Sequence, residues 1–271
     1  MSGKNIRIKK LFGSKKKLVI SALDHVVEYG VQPGIEDARK AIENCLSTDA
    51  LLLPRFMLKR NWDLFGQPNS PAPVVRINWS SSFYYPLNYR EGFTTICTNV
   101  EEAVEAGAQA IICSLFLEEK DNKAMEVDNV RIFTEVVRQK EKLGIPLIGE
   151  CYVVEHQEKT PQQVHDKVKR ISRIMAELGA DLIKTFFTGE KFNEVIENTP
   201  VPVFTIGADK LNTDLEVLQK AYDSVQKGAS GIIFGRNIFM AANPKVLTTA
   251  LNDVINGGVL PKEAAKKYKL K

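Results

Sequence analysis

Eight short apolar segments recur along this chain of 271 residues, and most of them are preceded or followed by a stretch with helical spacing. Their length and their branched side chains are typical of buried strands. Strands that alternate with helices form a parallel sheet with right-handed crossovers. The predicted strands span residues 18–23, 50–54, 73–79, 110–116, 145–152, 179–189, 201–207 and 231–235.

The number of these units indicates how the sheet is arranged. Eight strand–helix units in roughly 250 residues match a (β/α)8 barrel, and no linker rich in proline or serine divides the chain. We therefore predict an α/β protein with a single (β/α)8 TIM barrel spanning 1–271, including basic extensions at 1–17 and 262–271. A doubly wound open sheet is the alternative, although no Gly-x-Gly-x-x-Gly motif follows the first strand.

Local capping signals mark several of the predicted helices. Thr98 and Glu101 have the spacing of a capping box. Residues 129–142 form an amphipathic pattern, and Thr160 followed by proline has the order of an N-cap and a first helical position. Thr213 is predicted to cap the helix after the seventh strand.

Charge and composition exclude several classes of partner. The formal net charge is +4, and much of the excess lies at 4–17 and 262–271, which we predict to be solvated ends. No aromatic residues interleave with a basic stripe, so nucleic acid is not an expected partner. No run of about 18 apolar residues predicts a membrane span, and the N-terminus lacks the apolar core of a signal peptide. We expect a cytoplasmic protein.

Cysteine and histidine are too dispersed to predict a disulfide framework or a metal site. The four cysteines contain no Cys-x-x-Cys pair, and the three histidines are widely spaced. Reduced cysteines that pack in the core are the expected interpretation. We predict neither a metal ion nor an organic cofactor.

Lys184 is the unusual residue of the sixth predicted strand. The run from Gly179 to Gly189 is otherwise typical of a strand covered on both faces. Burial disfavours the charged form of a lysine, and a neutral amine in a dry site attacks carbonyl carbons, as in Schiff-base aldolases. The alternative is a lysine whose stem packs while its head reaches water or a carboxylate.

Glycines follow the last two predicted strands at their carboxyl ends, where the active site of a (β/α)8 barrel lies. Gly207 and Ala208 follow the seventh strand, and Gly235 and Arg236 follow the eighth. Because glycine lets the backbone approach an anion and offer N–H donors, these loops predict a phosphate site. The alternative is that the glycines only serve tight turns. Other polar residues at the strand ends are Asp24, His25, Arg55, Asn78, Ser80, Glu150, Tyr152 and Lys184.

Strand periodicity places Arg76, Asn78 and Glu150 on inward faces. The intervening residues of the third strand are apolar. Because a buried charge needs a partner, we predict a polar layer inside the barrel in which Glu150 balances Arg76 or Lys184. Acid–base catalysis by Glu150 and structural charge balance both remain open.

Five sequence motifs occur in the order and spacing of a known family. They are Leu23-Asp24-His25, Glu150-Cys151-Tyr152, Ala180-Asp181-Leu182-Ile183-Lys184-Thr185, Gly207-Ala208-Asp209-Lys210 and Gly235-Arg236-Asn237-Ile238-Phe239. With them, the chain resembles the DeoC/FbaB (DhnA-type) class I aldolases over most of its length. This family includes archaeal-type fructose-bisphosphate aldolase, aminodideoxyheptulosonate synthase and autoinducer-2 phosphate thiolase.

The resemblance implies a metal-independent Schiff-base reaction on a phosphorylated ketose, with fructose 1,6-bisphosphate as the default substrate. Lys184 would form the imine, Tyr152 would be the general acid and base, and Asp24 would orient substrate hydroxyls. A phosphorylated sugar is thus the expected ligand, and the resemblance also implies a homo-oligomer. The residues expected to bind the substrate or its phosphate are Gly207, Ala208, Gly235, Arg236, His25, Arg76 and Glu150.

Departures from the family pattern leave the substrate open. Val26 follows His25 where the family has glycine. Ala208 stands in place of a second glycine in the seventh loop, and Phe187 replaces a common tyrosine. The alternatives are a lysine-dependent transaldolase or synthase, a thiolase-like acyl transferase, and a phosphate-binding barrel that has lost catalysis.

Overall fold

The computed structural model describes residues 2–81, 93–117 and 123–271. Within these ranges the strands are β1 (Leu18–Ala22), β2 (Ala50–Leu53), β3 (Ala72–Arg76), β4 (Asn78–Ser80), β5 (Thr94–Ile96), β6 (Ala110–Ser114), β7 (Leu147–Glu150), β8 (Leu182–Thr185), β9 (Val203–Ile206) and β10 (Gly231–Phe234). All except β4 and β5 pair in parallel and close into a barrel in the order β1-β10-β9-β8-β7-β6-β3-β2. The predicted (β/α)8 barrel is confirmed.

Helices cover the outside of the barrel and connect its strands. They are α1 (Ser2–Phe12), α2 (His25–Tyr29), α3 (Ala38–Cys45), α4 (Arg55–Arg60), α5 (Val100–Glu105), α6 (Lys123–Leu143), α7 (Pro161–Glu177), α8 (Phe192–Asn198), α9 (Asp214–Gln226), α10 (Arg236–Phe239), α11 (Pro244–Asn256) and α12 (Pro261–Tyr268). Short 3-10 turns occur at Trp62–Leu64, His156–Glu158 and Gly189–Lys191.

Alternation along the strands separates two apolar layers. In β1, Leu18 and Ile20 point into the barrel, whereas Val19 between them packs under the helices. The inner layer continues through side chains such as Phe204 of β9. These apolar side chains fill the amino-terminal part of the barrel interior. The polar interior residues lie at the carboxyl end of the strands.

The third barrel strand is shorter than predicted. A single strand over 73–79 was expected, but β3 ends at Arg76 and the chain turns out of the barrel into β4, which pairs antiparallel with β5. Asn78 explains the departure because its side chain bonds both the N–H and the C=O of Ser114, at 2.9 and 3.0 Å. These side-chain bonds take the place of the backbone hydrogen bonds that a longer β3 would make with β6. The tyrosines of the loop that follows Ser80 lie outside the described residues.

The basic ends were predicted to be solvated, and the structure differs. The α1 helix lies under the barrel, where Leu11 is buried and the Phe12 ring is 6.2 Å from that of Phe204. Arg7 donates to the Gly144 carbonyl at 2.9 Å. At the other end, α12 packs on α9 and α11. Both segments carry apolar side chains that bind them to the barrel.

The capping predictions are mostly confirmed. Thr160 and Thr213 each cap a helix through the predicted side-chain bond. The box assigned to Thr98 is wrong by one residue, since Asn99 is the N-cap of α5 and Glu102 completes the box. Asparagine and threonine are both good caps, so spacing alone did not separate them.

The cysteines and the helices bear on the predictions of reduced thiols and of no membrane span. The four cysteines Cys45, Cys97, Cys113 and Cys151 are free thiols, and three of them are buried as predicted. Cys97 is exposed, so the prediction that it packs in the core is wrong. None of the helices in the described ranges combines the length and the apolar character that a bilayer crossing requires.

A buried ion pair fixes the amino-terminal end of β8. Lys140 of α6 is 0% exposed, and its Nζ lies 2.7 Å from Asp181 Oδ2 and 2.8 Å from Glu141 Oε1. Asp181 also accepts from the Leu147 N–H at 2.9 Å and pairs with Lys4 at 2.9 Å. One carboxylate therefore joins α1, α6, β7 and β8.

Replacing that carboxylate should destabilise the barrel. Asp181→Ala leaves Lys140 buried with Glu141 alone, and we expect the free energy of unfolding to fall by about 3 kcal/mol. Urea denaturation measures this. Asp128→Ala is the control, because its ion pair with Arg131 is exposed and should contribute less than about 1 kcal/mol. Equal losses in the two variants would contradict the prediction.

Candidate active site

The register of the sheet aligns three polar residues at the carboxyl ends of adjacent strands. Ser114 is paired with Glu150 across β6 and β7, and Glu150 is paired with Lys184 across β7 and β8. All three side chains are buried. Because paired residues of parallel strands share a face, the three side chains lie side by side inside the barrel.

Arg76 at the end of β3 is the centre of this layer. Its side chain is 1% exposed, and its Nε and Nη2 lie 2.8 and 2.6 Å from Asp24 Oδ2. Its Nη1 lies 2.6 Å from both Glu150 Oε2 and the Ser114 hydroxyl. Glu28 Oε1 is 3.2 Å from Nη2. One buried guanidinium therefore faces three carboxyl groups.

Glu150 joins Arg76 to Lys184. Its second oxygen, Oε1, lies 2.5 Å from Lys184 Nζ. Burial alone would raise the pKa of Glu150, but the guanidinium of Arg76 and the amine of Lys184 outweigh burial and hold that pKa well below its usual value. Glu150 was predicted to balance one of the two cations, and it contacts both.

The pKa of Glu28 shifts in the opposite direction to that of Glu150. Burial raises its pKa well above the usual value, and the attraction of Arg76 does not offset this. A proton on Glu28 reduces the negative charge that Arg76 has to balance. Within one site, burial therefore raises the pKa of Glu28 while neighbouring cations lower the pKa of Glu150.

A pocket opens above this layer. Tyr29 and Tyr152 join Glu28, Glu150 and Lys184 on its wall. Asp24 and Arg76 lie beneath the pocket, each 1% exposed. The opposite side of the pocket is formed by Gly207, Ala208, Gly235, Arg236 and His25, together with Ala22, Ile206 and Ile233. The residues predicted for chemistry and for phosphate thus line one cavity, except Asp24 and Arg76, which are buried and do not line it.

Contact with the His25 ring explains the glycine at position 235. A Cβ at Gly235 would lie 2.2 Å from His25 Cε1. The same ring packs edge-on against Phe239 at 5.2 Å. Burial lowers the pKa of His25 to about 4, although Asp24, with Oδ1 3.6 Å from the ring Nδ1, opposes this. The imidazole is therefore neutral near pH 7.

Tyr152 follows β7 and is oriented by aromatic neighbours. Its ring centroid is 5.1 Å from that of Phe186 and 6.0 Å from that of His156. Burial raises the pKa of Tyr152 to about 12. The phenol is therefore protonated at neutral pH, and Tyr152 lines the same pocket as Lys184.

Two residues expected near the substrate have partners elsewhere. Arg55 pairs with Glu102 of α5 and lies over the ring of Phe56, with 4.5 Å from Cζ to the centroid. Phe187 packs against Phe192 at 5.4 Å. Neither lines the pocket.

Two pocket residues were missed by the sequence analysis. Glu28 and Tyr29 lie in α2, a five-residue helix too short for a clear apolar period. The spacing of Asp24 and Glu28, four residues apart, was a usable signal, because such residues share a helix face. Asp24 is indeed the N-cap of this helix.

The carboxylates of this layer surround Arg76 rather than a space for a cation. Across residues 2–81, 93–117 and 123–271, no group of three or more His, Cys, Asp or Glu side chains is arranged to hold a metal ion. The site residues can instead supply an amine, a phenol and a set of anion-binding backbone groups.

The pocket at the mouth of the (β/α)8 barrel holds a buried lysine, a carboxylate, a tyrosine and two glycine-containing loops, the groups expected in a class I aldolase. Residues 18–241 match the DeoC/LacD family of aldolases, and the chain belongs to this family.

Several named proteins are similar over nearly the whole chain. An uncharacterized aldolase of Saccharolobus solfataricus is 31% identical over 98% of this chain and 99% of its own length. The 2-amino-3,7-dideoxy-D-threo-hept-6-ulosonate synthase of Halobacterium salinarum is 27% identical over 97% and 95%. The 3-hydroxy-5-phosphonooxypentane-2,4-dione thiolase of an Enterobacter species is 26% identical over 97% and 84%.

Solved structures share the fold. A Schiff-base-forming fructose-1,6-bisphosphate aldolase superposes with a TM-score of 0.79 at 22% identity, covering 93% of this chain and 99% of that one. At this level of identity the similarity establishes the barrel and its strand order, and it does not assign a substrate.

The pKa of His25 predicts a pH dependence of stability. The unfolded histidine binds a proton near pH 6.5 and the folded one only near pH 4, so the unfolded state holds more protons between these values and stability falls as pH falls. We expect the unfolding free energy of the wild type, minus that of His25→Asn, to decrease by about 2 kcal/mol between about pH 6.5 and 4.5.

Urea denaturation across this pH range measures the difference. The cost of losing ring packing in His25→Asn is the same at each pH and cancels. A difference that stays constant with pH would show that His25 titrates alike in the folded and unfolded states.

Proposed function

We propose that this enzyme is a metal-independent Schiff-base aldolase that reversibly cleaves or forms a C–C bond in a phosphorylated ketose, with fructose 1,6-bisphosphate as the default substrate. The supporting observation is the placement of Lys184. Its Nζ lies 2.5 Å from Glu150 in a pocket that also contains Tyr152 and the glycine loops. The amine and the anion-binding backbone are therefore within reach of one small molecule.

Lys184 is the proposed nucleophile. Its amine gives up a proton and adds to the ketone carbon to give a carbinolamine. Return of a proton to the carbinolamine hydroxyl lets it leave as water and gives a protonated imine. The imine accepts the electron pair that is released when the adjacent C–C bond breaks. Glu150 supports this state because its carboxylate is already hydrogen-bonded to Nζ and can accept from the imine N–H.

Tyr152 is the proposed general acid and base. In the condensation direction its neutral phenol donates a proton to the aldehyde oxygen as the C–C bond forms, and in the cleavage direction the proton returns. The pKa of about 12, raised by burial, keeps the phenol protonated when the aldehyde arrives. Packing against Phe186 limits the orientations of its ring.

Asp24 and Arg76 act from beneath the pocket in this proposal. Asp24 Oδ2 is bound to Arg76, while Oδ1 is buried and makes no hydrogen bond within the described part of the chain. That oxygen is the one proposed to orient a substrate hydroxyl. Arg76 keeps Asp24 and Glu150 in position, and its charge lowers the pKa of Glu150.

The opposite end of the pocket is the proposed phosphate subsite. Gly207 and Ala208 supply backbone from one loop, and Gly235 and Arg236 supply backbone and charge from the next. Arg236 Nε is buried without a hydrogen bond among the described residues, so the guanidinium retains donor capacity for an anion.

A synthase or thiolase activity is the second candidate. Two relatives at 26–27% identity have those names, and both cover nearly all of this chain. Their names differ from that of the default activity, so a screen of phosphorylated ketones and ketoses separates these candidates. A cytoplasmic location and a homo-oligomeric state stay predictions, and light scattering of the purified protein tests the latter.

Reductive trapping tests the proposed function. Borohydride added with dihydroxyacetone phosphate should reduce the imine and leave a covalent adduct on the peptide that contains Lys184, detected by mass spectrometry. Lys184→Met should abolish both the adduct and fructose 1,6-bisphosphate cleavage, because the electron sink is lost.

The control for trapping is Lys191→Met, which removes an exposed lysine that bonds Gln162 on the surface. It should retain adduct and turnover. EDTA should leave turnover unchanged in the wild type. An adduct that persists in Lys184→Met, or cleavage that survives this change, would contradict the assigned nucleophile.

Tyr152→Phe separates imine formation from C–C chemistry. Removing the phenol should lower kcat by about 10²–10⁴-fold because no group then moves the proton at the reacting oxygen. The borohydride adduct at Lys184 should still form. Steady-state cleavage assays and trapping provide the two readouts, and unchanged kcat would refute the role of Tyr152.

A further inference from the structure

The turn after β9 is held from behind by side chains that the proposed chemistry does not use. Lys220 of α9 donates from Nζ to the Gly207 carbonyl at 2.8 Å. Asn237 of α10 donates from Nδ2 to the same carbonyl and to that of Asp209, at 3.1 Å each. Two consecutive helices of the outer layer thus fix the carbonyls of one short turn.

Ala208 has an uncommon backbone conformation in this turn. Its φ of +55° lies in the left-handed region, which costs a residue other than glycine roughly 1–3 kcal/mol unless its surroundings impose it. The Ala208 carbonyl accepts from Arg236 Nη2 at 3.0 Å. Each of the three carbonyls from Gly207 to Asp209 therefore has a side-chain donor, and these bonds stabilise the strained turn.

Fixing the carbonyls also orients the N–H groups. In a trans peptide the C=O and the N–H point in opposite directions. Because the Gly207 carbonyl is directed at Lys220 on the outer helix, the Ala208 N–H points toward the pocket that these two residues line. N–H groups around a left-handed residue form a concavity suited to an anion.

The amine of Lys220 also contributes charge. Burial lowers the pKa of Lys220 to about 8, and the carboxylate of Asp209 opposes this effect. The amine is therefore mostly protonated at neutral pH. It places a positive charge directly behind the turn, on the side away from the pocket.

We propose that Lys220 is a positioning residue of the phosphate subsite: it holds the Gly207 carbonyl outward and supplies positive charge behind the turn, so that the turn accepts the phosphate of the substrate. This inference rests on the proposed function, since it assumes that a phosphate binds there. Lys220 acts through the turn and touches no substrate atom. It should therefore affect only ligands that carry a phosphate.

Comparing two donor ketones isolates this effect. The concentration that half-saturates borohydride trapping at Lys184 is measured with dihydroxyacetone phosphate and with dihydroxyacetone. In Lys220→Met, which keeps the length of the side chain, we expect an increase of about tenfold, or ~1.4 kcal/mol, for the phosphorylated ketone alone. The value for dihydroxyacetone should not change, and kcat at saturating phosphorylated substrate should stay within about twofold.

Lys227→Met is the matched control. Lys227 follows α9 and pairs with Glu190 at the surface, 2.5 Å away, so its loss should leave both values unchanged. Circular dichroism and thermal unfolding establish that Lys220→Met is folded, and Lys220→Gln serves as the second variant. Equal losses for both ketones, or no loss for the phosphorylated one, would overturn the inference.

Inorganic phosphate separates this inference from the proposed reaction. If no adduct forms at Lys184 in the wild type, the Schiff-base proposal fails, and calorimetric titration with inorganic phosphate still tests Lys220. Weaker binding in Lys220→Met than in Lys227→Met supports the positioning role. Equal binding, or no binding to the wild type, refutes it.

Discussion

The charge on Arg76 is the constraint on which the interior of this barrel depends. A guanidinium 1% exposed to solvent is stable only when carboxylates and hydroxyls satisfy its donors. Asp24 and Glu150 do so from two different segments of the chain, and Glu28 lies 3.2 Å from Nη2 on the helix that Asp24 caps. Because Glu150 also bonds Lys184, the amine that we propose to be reactive is positioned by the same ion cluster that joins the strand ends at the barrel mouth. Under the proposed function, a change that weakens this cluster would affect both stability and activity.

Much of this arrangement could be predicted from the sequence. Apolar strands in an α/β barrel are nearly continuous hydrophobic runs, and eight of them at regular spacing leave few other folds. A charged residue within such a run is conspicuous, which is why Lys184, Glu150 and Arg76 were identified as interior partners. The glycines at 207 and 235 were identified because few other residue types allow backbone to approach a ligand.

Other features depend on contacts between distant residues, for which local patterns carry no signal. Glu28 enters the pocket from a helix of five residues, which is too short to show a period. The bond from Lys220 to Gly207 joins residues 13 positions apart across a strand–helix connection. Asn78 ends the third strand by bonding the backbone of Ser114, 36 residues later. Nothing in the sequence near each of these residues indicates which distant residue it contacts.

The packing of α1 beneath the barrel affects how molecules enter and leave the pocket. Leu11 and Phe12 pack against the interior layer at the amino-terminal end, so in the described part of the chain the barrel is closed at that end and the pocket is a well at the carboxyl end. Lys184 is only 6% exposed at the base of that well. Under the proposed function, a molecule joined to Lys184 would lie deeper in the well than a second reactant that enters after it. The proposal therefore predicts an order of events, in which the reactant bound to the lysine arrives first and departs last.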